Sequence, residues 1–325
     1  MNPLKSITDI PGIKVGHAQD EKGLTGCTVI LCEDGAVGGM DQRGNATSTR
    51  QIDAMRPAHI VEKVHGVMLS GGSAFGLDTA SGAMRYLEEK GIGFEYGPAR
   101  IPTVPTAILF DLAFGGGTVR PDAEMGYQAC LNASNEAPAE GNQGAGSGAT
   151  VGKVLGIKQA MKSGIGTAAI EIGEGVKVGA IVAVNAFGDV VDPTNGKIVA
   201  GARSNNDKEE LFADSLKVIR GLVGKKLTER MSADNTVIGV VATNAEFNKL
   251  EVAKLAQMSQ NGVVRTIRPA HTTGDGDTMF ALATGKVKAE VNIVGAFAAQ
   301  VVSEAILRAV RMAESAGELP AVKDL

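Results

Sequence analysis

Apolar and polar positions change period several times along the chain, and the changes outline its elements. Cys27–Glu33 and Gly66–Leu69 are short apolar runs that predict strands, the second closing on Gly71–Gly72. From Ala74 to Lys90, Leu77, Ala80, Ala83, Met84 and Leu87 fall at helical spacing, and Gly91 sits where a glycine ends a helix. A proline-punctuated stretch, Pro98–Pro105, leads to the apolar run Ala107–Leu112. Residues 132–148 are polar and glycine-rich and read as a loop ahead of Ala149–Leu155. Val176–Val191 reads as a hairpin turning at Ala186–Asp189, and Lys208–Val223 as an amphipathic helix. After the polar segment Gly224–Asp234, Thr236–Thr243 (TVIGVVAT) has the continuous apolar character of a buried strand. Helices are predicted over Glu246–Gln260 and from about Val291 to Ser315.

Strands cluster, helices follow in ones and twos, and the alternation is not strictly βαβ. That order predicts an α+β protein, a layered α/β/β/α arrangement rather than a doubly wound sheet. No convincing linker divides residues 1–325, so one domain is expected, with 224–235 as its best exposed connection.

Composition sharpens this picture in a few places. Apolar residues make up 44% and charged residues 21%, ordinary globular usage. The 43 glycines follow no collagen-like period and imply tight turns and close backbone approaches. With no tryptophan and few aromatics, the core must come from Val, Ile, Leu and Ala. A formal charge of −4 and the lack of any basic run argue against a nucleic-acid partner. Cys27, Cys32 and Cys130 are an odd number of cysteines without CxxC spacing. Buried free thiols in a reducing cytoplasm fit them better than disulfides or a metal site. The N-terminus has no signal-like apolar region, and the apolar segment Val291–Val302 is too short to span a bilayer, so no membrane association is expected.

Three polar motifs could carry chemistry. Gly144-Ala-Gly146-Ser-Gly148-Ala149 has dinucleotide-loop spacing but follows no strand, and Gly152-Lys153 lacks the rest of a phosphate loop. The bland reading is a flexible loop; the alternative is a row of backbone N–H groups that line a pocket with Lys153. The cluster His-Thr-Thr-Gly-Asp275-Gly-Asp277-Thr lacks the ligands of a calcium loop. It is either a capped turn before a strand or a pair of carboxylates able to orient an amine or hydroxyl. Finally, Thr236 stands at the first position of a buried strand, after Asn235. Locally this is a strand start. Were the Asn235–Thr236 bond cut, Thr236 would hold a hydroxyl nucleophile beside an α-amine of pKa about 7.7–8.0, able to act as its base.

The runs ITDIPGIKVGHAQD, SGGSAFGLDTASG, IPTVPTAILFDL, GAGSGATVGK, NTVIGVVATNAEFNK and DGDTMFALATG occur in one order along nearly the whole chain. Together they resemble the L-aminopeptidase/D-esterase (DmpA-type) family of N-terminal nucleophile hydrolases, nearest to its threonine-type nylon-oligomer branch. The resemblance implies a four-layer αββα fold shared with ornithine acetyltransferases, and self-cleavage into chains 1–235 and 236–325. It also implies Thr236 as nucleophile, with Asp275 and Asp277 where serine-type members carry Ser and Glu. Lys153 and Asn185 fall at active-site positions, Asn185 as an oxyanion donor, and Tyr127 matches a substrate-pocket tyrosine. The pattern departs from the family around Gln42–Gln51, where Asn45, Ser48 and Gln51 replace a glycine-rich loop with a Glu.

The function expected on this basis is hydrolysis of amides bearing a free amine: short peptides, amino-acid amides, β-peptides or aminohexanoate oligomers. Neither metal nor organic cofactor is expected, and family habit implies a homotetramer of αβ units. Acyl transfer, or an uncleaved binding protein on the same scaffold, are the alternatives.

Overall fold

The computed structural model describes residues 4–204, 210–223 and 235–325. Nine strands carry the fold: β1 (Lys14–Asp20), β2 (Thr25–Gln42), β3 (Thr49–Arg50), β4 (Val64–Ser70), β5 (Thr106–Ile108), β6 (Ile165–Glu171), β7 (Lys177–Asn185), β8 (Thr236–Ala245) and β9 (Thr278–Val287). Four longer helices pack on them: α1 (Thr79–Glu89), α2 (Ala123–Leu131), α3 (Lys249–Thr266) and α4 (Val291–Arg311).

The strands make two layers joined by one long strand. Residues 25–31 of β2 lie between β1 and β4, and β4 continues through β5 to β3. Beyond an irregularity between Leu31 and Ala36, residues 37–42 of the same strand pair with β9 in a second layer ordered β6-β7-β8-β9-β2. All pairs in that second layer are antiparallel except β8 with β9.

Side-chain alternation then builds three apolar seams. Val29 and Leu31 face α1 and α2, packing with Met68, Ala83, Leu87 and Cys130. Their neighbours Ile30 and Cys32 face the other way and meet Ile181, Ile238, Val240 and Phe280 between the sheets. On β8, Val237 and Val241 turn outward to α3 and α4, while Ile238, Val240 and Ala242 turn inward. A strand buried on both faces needs apolar residues at every position, which is why β8 reads as TVIGVVATNA. Each such Val, Leu or Ile contributes roughly 1.5–3 kcal/mol of burial. The layers are therefore helix, sheet, sheet, helix, the αββα order expected.

Several expectations change. The predicted hairpin 176–191 is not one: β7 pairs with β6 across a turn at 173–175. Asp189–Val191 instead joins Ile198–Ala200 and Ile267–Arg268 in a separate small sheet. The apolar residues Ala186 and Phe187 mark a buried crossing rather than an exposed turn. Of the predicted helix 208–223, only Ser215–Arg220 is helical among the described residues, and 208–209 lie outside them. The late apolar segment extends into a 21-residue helix, long and apolar enough by composition to cross a membrane, so its length excludes nothing. However, 67% of its most apolar stretch is buried inside the protein, as befits a core helix.

Candidate active site

Thr236 opens β8, an inner strand of the second sheet. The register places Asn185, the last residue of β7, directly opposite it. On its other flank, Asn235 forms a parallel bridge with Asp275, in the turn before β9. Alternation puts the side chains of Asn185 and Thr236 on the face turned to the first sheet, along with Ile181 and Ile238. Thr236, Asn185, Lys153, Asp275 and Asp277 are all buried.

Two donors meet the Asn235 carbonyl oxygen. The Thr236 hydroxyl donates to Asn235 O at 2.5 Å, and the Gly276 N–H donates to it at 2.8 Å. Gly276 can come this close because it has no side chain: a Cβ would lie 2.8 Å from Thr236 Oγ1 and 2.9 Å from Ala46 O.

The turn carrying Gly276 is tied down on both sides. Thr272 donates its N–H at 2.6 Å and its hydroxyl at 2.5 Å to Asp275 Oδ2. His271 places its N–H at 3.0 Å and its Nδ1 at 2.8 Å from Asp277 Oδ2. Asp277 Oδ1 accepts the Val237 N–H at 2.8 Å, holding the residue after Thr236. The loop that departs from the family pattern closes over the same turn. Arg43 N–H donates to Asp277 O at 3.0 Å and Ala46 N–H to Asp275 O at 2.9 Å, and a Cβ on Gly44 would lie 1.8 Å from Asp275 O.

Burial first, and the charge of Asp277 second, raise the Asp275 carboxyl to a pKa of about 6, against the opposing pull of Thr272 and Lys153.

Across the strand, Lys153 donates from Nζ to Asn185 Oδ1 at 2.8 Å and to Asn185 O at 3.1 Å. Thr150 adds its N–H at 3.1 Å and its hydroxyl at 3.3 Å to Oδ1. Asn185 Nδ2 donates to Phe110 O at 3.0 Å. With donors on its oxygen and an acceptor on its nitrogen, the Asn185 amide has one orientation. The glycine-rich segment is pinned beneath it, not flexible: buried Lys162 Nζ donates to the carbonyls of Gly146 (3.0 Å), Ala149 (3.1 Å) and Ser163. Burial lowers the Lys162 pKa to about 7, with Asp111 opposing. The N–H groups of Gly146, Ser147 and Ala149 bond to carbonyls of Gln143, Gly144 and Gly146.

Five of the predicted side chains therefore gather around the Asn235–Thr236 bond. Tyr127 does not. It lies on α2, stacked edge-on against Tyr86 at 5.9 Å and under Arg85 at 4.1 Å, its hydroxyl donating to Glu89 at 2.7 Å. These partners all belong to α1 on the outer face of the first sheet, whereas the site lies between the sheets. Phe110 stands at the site without having been singled out, and His271, Thr272 and Gly276 of the motif around the two aspartates stand there beside it. Cys27, Cys32 and Cys130 are free and buried, and burial raises all three thiols, Cys32 and Cys130 to about 12, so they are inert.

An αββα sandwich with a hydroxyl residue at the head of an inner strand is the architecture of the N-terminal nucleophile hydrolases, and this chain is an amide hydrolase of that fold. It belongs to peptidase family S58, which it matches over residues 5–319. An uncharacterized aminopeptidase of Mycobacterium leprae is 41% identical, over 98% of this chain and 93% of that relative. A 6-aminohexanoate-oligomer endohydrolase of a Kocuria species is 29% identical, over 93% of this chain and 85% of its own. Among solved structures, a Burkholderia beta-aminopeptidase superimposes with a TM-score of 0.70 at 19% identity, covering 99% of this chain and 92% of that one. The L-aminopeptidase D-Ala-esterase/amidase of Ochrobactrum anthropi, described as a variant of the Ntn hydrolase fold, gives 0.71 at 17%, covering 96% and 87%.

Proposed function

We propose that the protein cuts itself between Asn235 and Thr236 and then hydrolyses amides that carry a free amine, with Thr236 as nucleophile. The observation that carries this is the pair of donors on the Asn235 carbonyl, Thr236 Oγ1 at 2.5 Å and Gly276 N at 2.8 Å.

In self-cleavage, Oγ attacks the Asn235 carbonyl carbon, and its proton passes in the course of the step to the Thr236 nitrogen. The Gly276 N–H stabilises the oxyanion from within the distance such donors require. The Thr236 nitrogen gains that proton as the C–N bond breaks, leaving an ester between Asn235 and the Thr236 oxygen. Water hydrolyses the ester, leaving the Asn235 carboxylate, the Thr236 hydroxyl and a free α-amine. In turnover that amine takes the Oγ proton, Oγ attacks the substrate carbonyl, and the amine returns a proton to the departing amine. Asp275 and Asp277 orient the Thr236 residue and its amine. Asn185, aimed by Lys153, is the second oxyanion donor, and water releases the acyl group.

The substrates of this reading are short peptides, amino-acid amides, β-peptides or 6-aminohexanoate oligomers, and the relatives named aminopeptidase and 6-aminohexanoate-oligomer endohydrolase support it. A cytoplasmic enzyme assembled as a homotetramer of αβ units belongs to the same proposal; sedimentation of the purified protein tests the assembly. Intact mass and N-terminal sequencing test the chemistry. Two fragments are expected, the smaller beginning at Thr236, and Thr236→Ala should leave one chain. An unbroken wild-type chain that still releases amine from aminoacyl amides would overturn the mechanism.

A further inference from the structure

Of the four histidines, His271 is the one bonded to the paired aspartates, and its conformation is costly. Its φ of 58° lies in the left-handed region, which a non-glycine residue enters only against steric crowding of its Cβ. In that conformation its backbone N–H (3.0 Å) and ring Nδ1 (2.8 Å) reach the same oxygen, Asp277 Oδ2. The ring's other nitrogen, Nε2, is buried with no hydrogen-bond partner among the described residues. A proton there would be a buried donor without an acceptor, so the favoured tautomer carries its proton on Nδ1, which is the donor. Three donors thus converge on Asp277: two from His271, and the Val237 N–H at 2.8 Å on the opposite oxygen. Asp275 takes its donors from Thr272 instead. The two carboxylates are held by successive residues, each giving a backbone and a side-chain donor.

We infer that His271 is a positioning residue: its Nδ1–H locks Asp277 onto the Val237 amide and so fixes Thr236, one residue upstream, for attack. The need for this grows once the bond is cut. Thr236 is then a chain end, joined to the strand only through the peptide whose N–H Asp277 holds. The inference rests on the reading of Thr236 as nucleophile.

His271→Gly tests it, because glycine suits the left-handed backbone and keeps the N–H donor while removing the ring. Loss of one hydrogen bond to a charged group should slow self-cleavage, and kcat of the mature enzyme, by about 10- to 100-fold. KM should move by less than about threefold, since attack rather than binding is affected. Added imidazole should restore part of the rate, and His271→Asn, which keeps a side-chain donor, should be faster than His271→Leu, which has none. A folded His271→Gly protein that cleaves at the wild-type rate overturns the inference. So does a slow one that responds to neither imidazole nor the Asn replacement, since that outcome marks a merely structural ring. If His271→Gly does not fold, equal rates for the Asn and Leu variants overturn it. Thr236→Ala separates the two levels. Self-cleavage in that variant overturns the nucleophile reading itself, whereas a block there beside normal His271→Gly overturns only the role of His271.

Discussion

Replacing Gly276 with alanine adds one methyl group at the point where the turn meets the nucleophile. The new Cβ would stand 2.8 Å from Thr236 Oγ1, 2.9 Å from Ala46 O and 3.3 Å from Thr236 Cγ2. Ordinary contact begins near 3.4 Å, so the hydroxyl and the turn must separate by about 0.6 Å. Ala46 cannot give way freely, because its own N–H is bonded to Asp275 O at 2.9 Å. The displacement therefore falls on Thr236 Oγ and on the Gly276 N–H that holds the Asn235 carbonyl, both of which the first step needs. A misplacement of 1 Å can cost about 100-fold in rate, so roughly 10- to 100-fold slower self-cleavage is expected, with about 1–3 kcal/mol of overpacking lost from stability. The assay is the appearance of the fragment beginning at Thr236 on denaturing gels over time, run beside urea melts. Wild-type cleavage by a folded Gly276→Ala protein would falsify the claim that this close approach positions the reaction.

Three further outcomes follow from the geometry. Asp275→Asn removes an ionisable group whose folded-state pKa is raised from 3.8 to about 6. That group's contribution to stability is full below about pH 4 and lost as pH rises through 6. The variant, compared with its parent on a Thr236→Ala background by urea melts, should therefore gain about 1–3 kcal/mol between pH 4 and 7 while self-cleavage is impaired on the active background. Lys153→Met removes the charged donor from Asn185 and should lower kcat/KM by about 10- to 100-fold, measured on an aminoacyl amide, with Thr150 still holding Asn185 Oδ1. Tyr127→Phe, which loses only the hydroxyl bond to Glu89, should leave kcat and KM within about twofold in the same assay.

What could be read without coordinates was unequal. β8 was legible because burial on both faces demands an unbroken apolar run, and α1 because its stripe repeats at helical spacing. β6 was missed: its residues IGTAAIE are small, giving too weak a signal to compete with the strand that follows. The apolar Ala186–Phe187 crossing was then mistaken for a turn. At the site, nothing local raised Thr236 above a strand start, and only the co-linear motifs tied it to Asp275, Asp277, Asn185 and Lys153. Phe110 and Gly276 act through backbone atoms, which side-chain motifs do not encode. His271 acts through a left-handed turn, which spacing does not predict. Tyr127 was assigned to the pocket from a short matching string, which says nothing about which face of which sheet a helix covers.

The position of β8 has a consequence for how the enzyme is made. Thr236 begins an inner strand whose neighbour on one side, β7, comes from residues 1–235, and the strand on its other side, β9, is itself paired with β2 from that same part. On the proposed cut, residues 236–325 would supply the adjacent pair β8 and β9, and residues 1–235 the strands that flank that pair, β7 and β2. Folding would therefore precede the proposed scission, and its two products would share one continuous sheet. An enzyme severed in this way would inherit its architecture from the unbroken chain. Once unfolded, the pieces would have to rebuild that sheet as two molecules, so losing the fold after maturation should be far harder to reverse than losing it before.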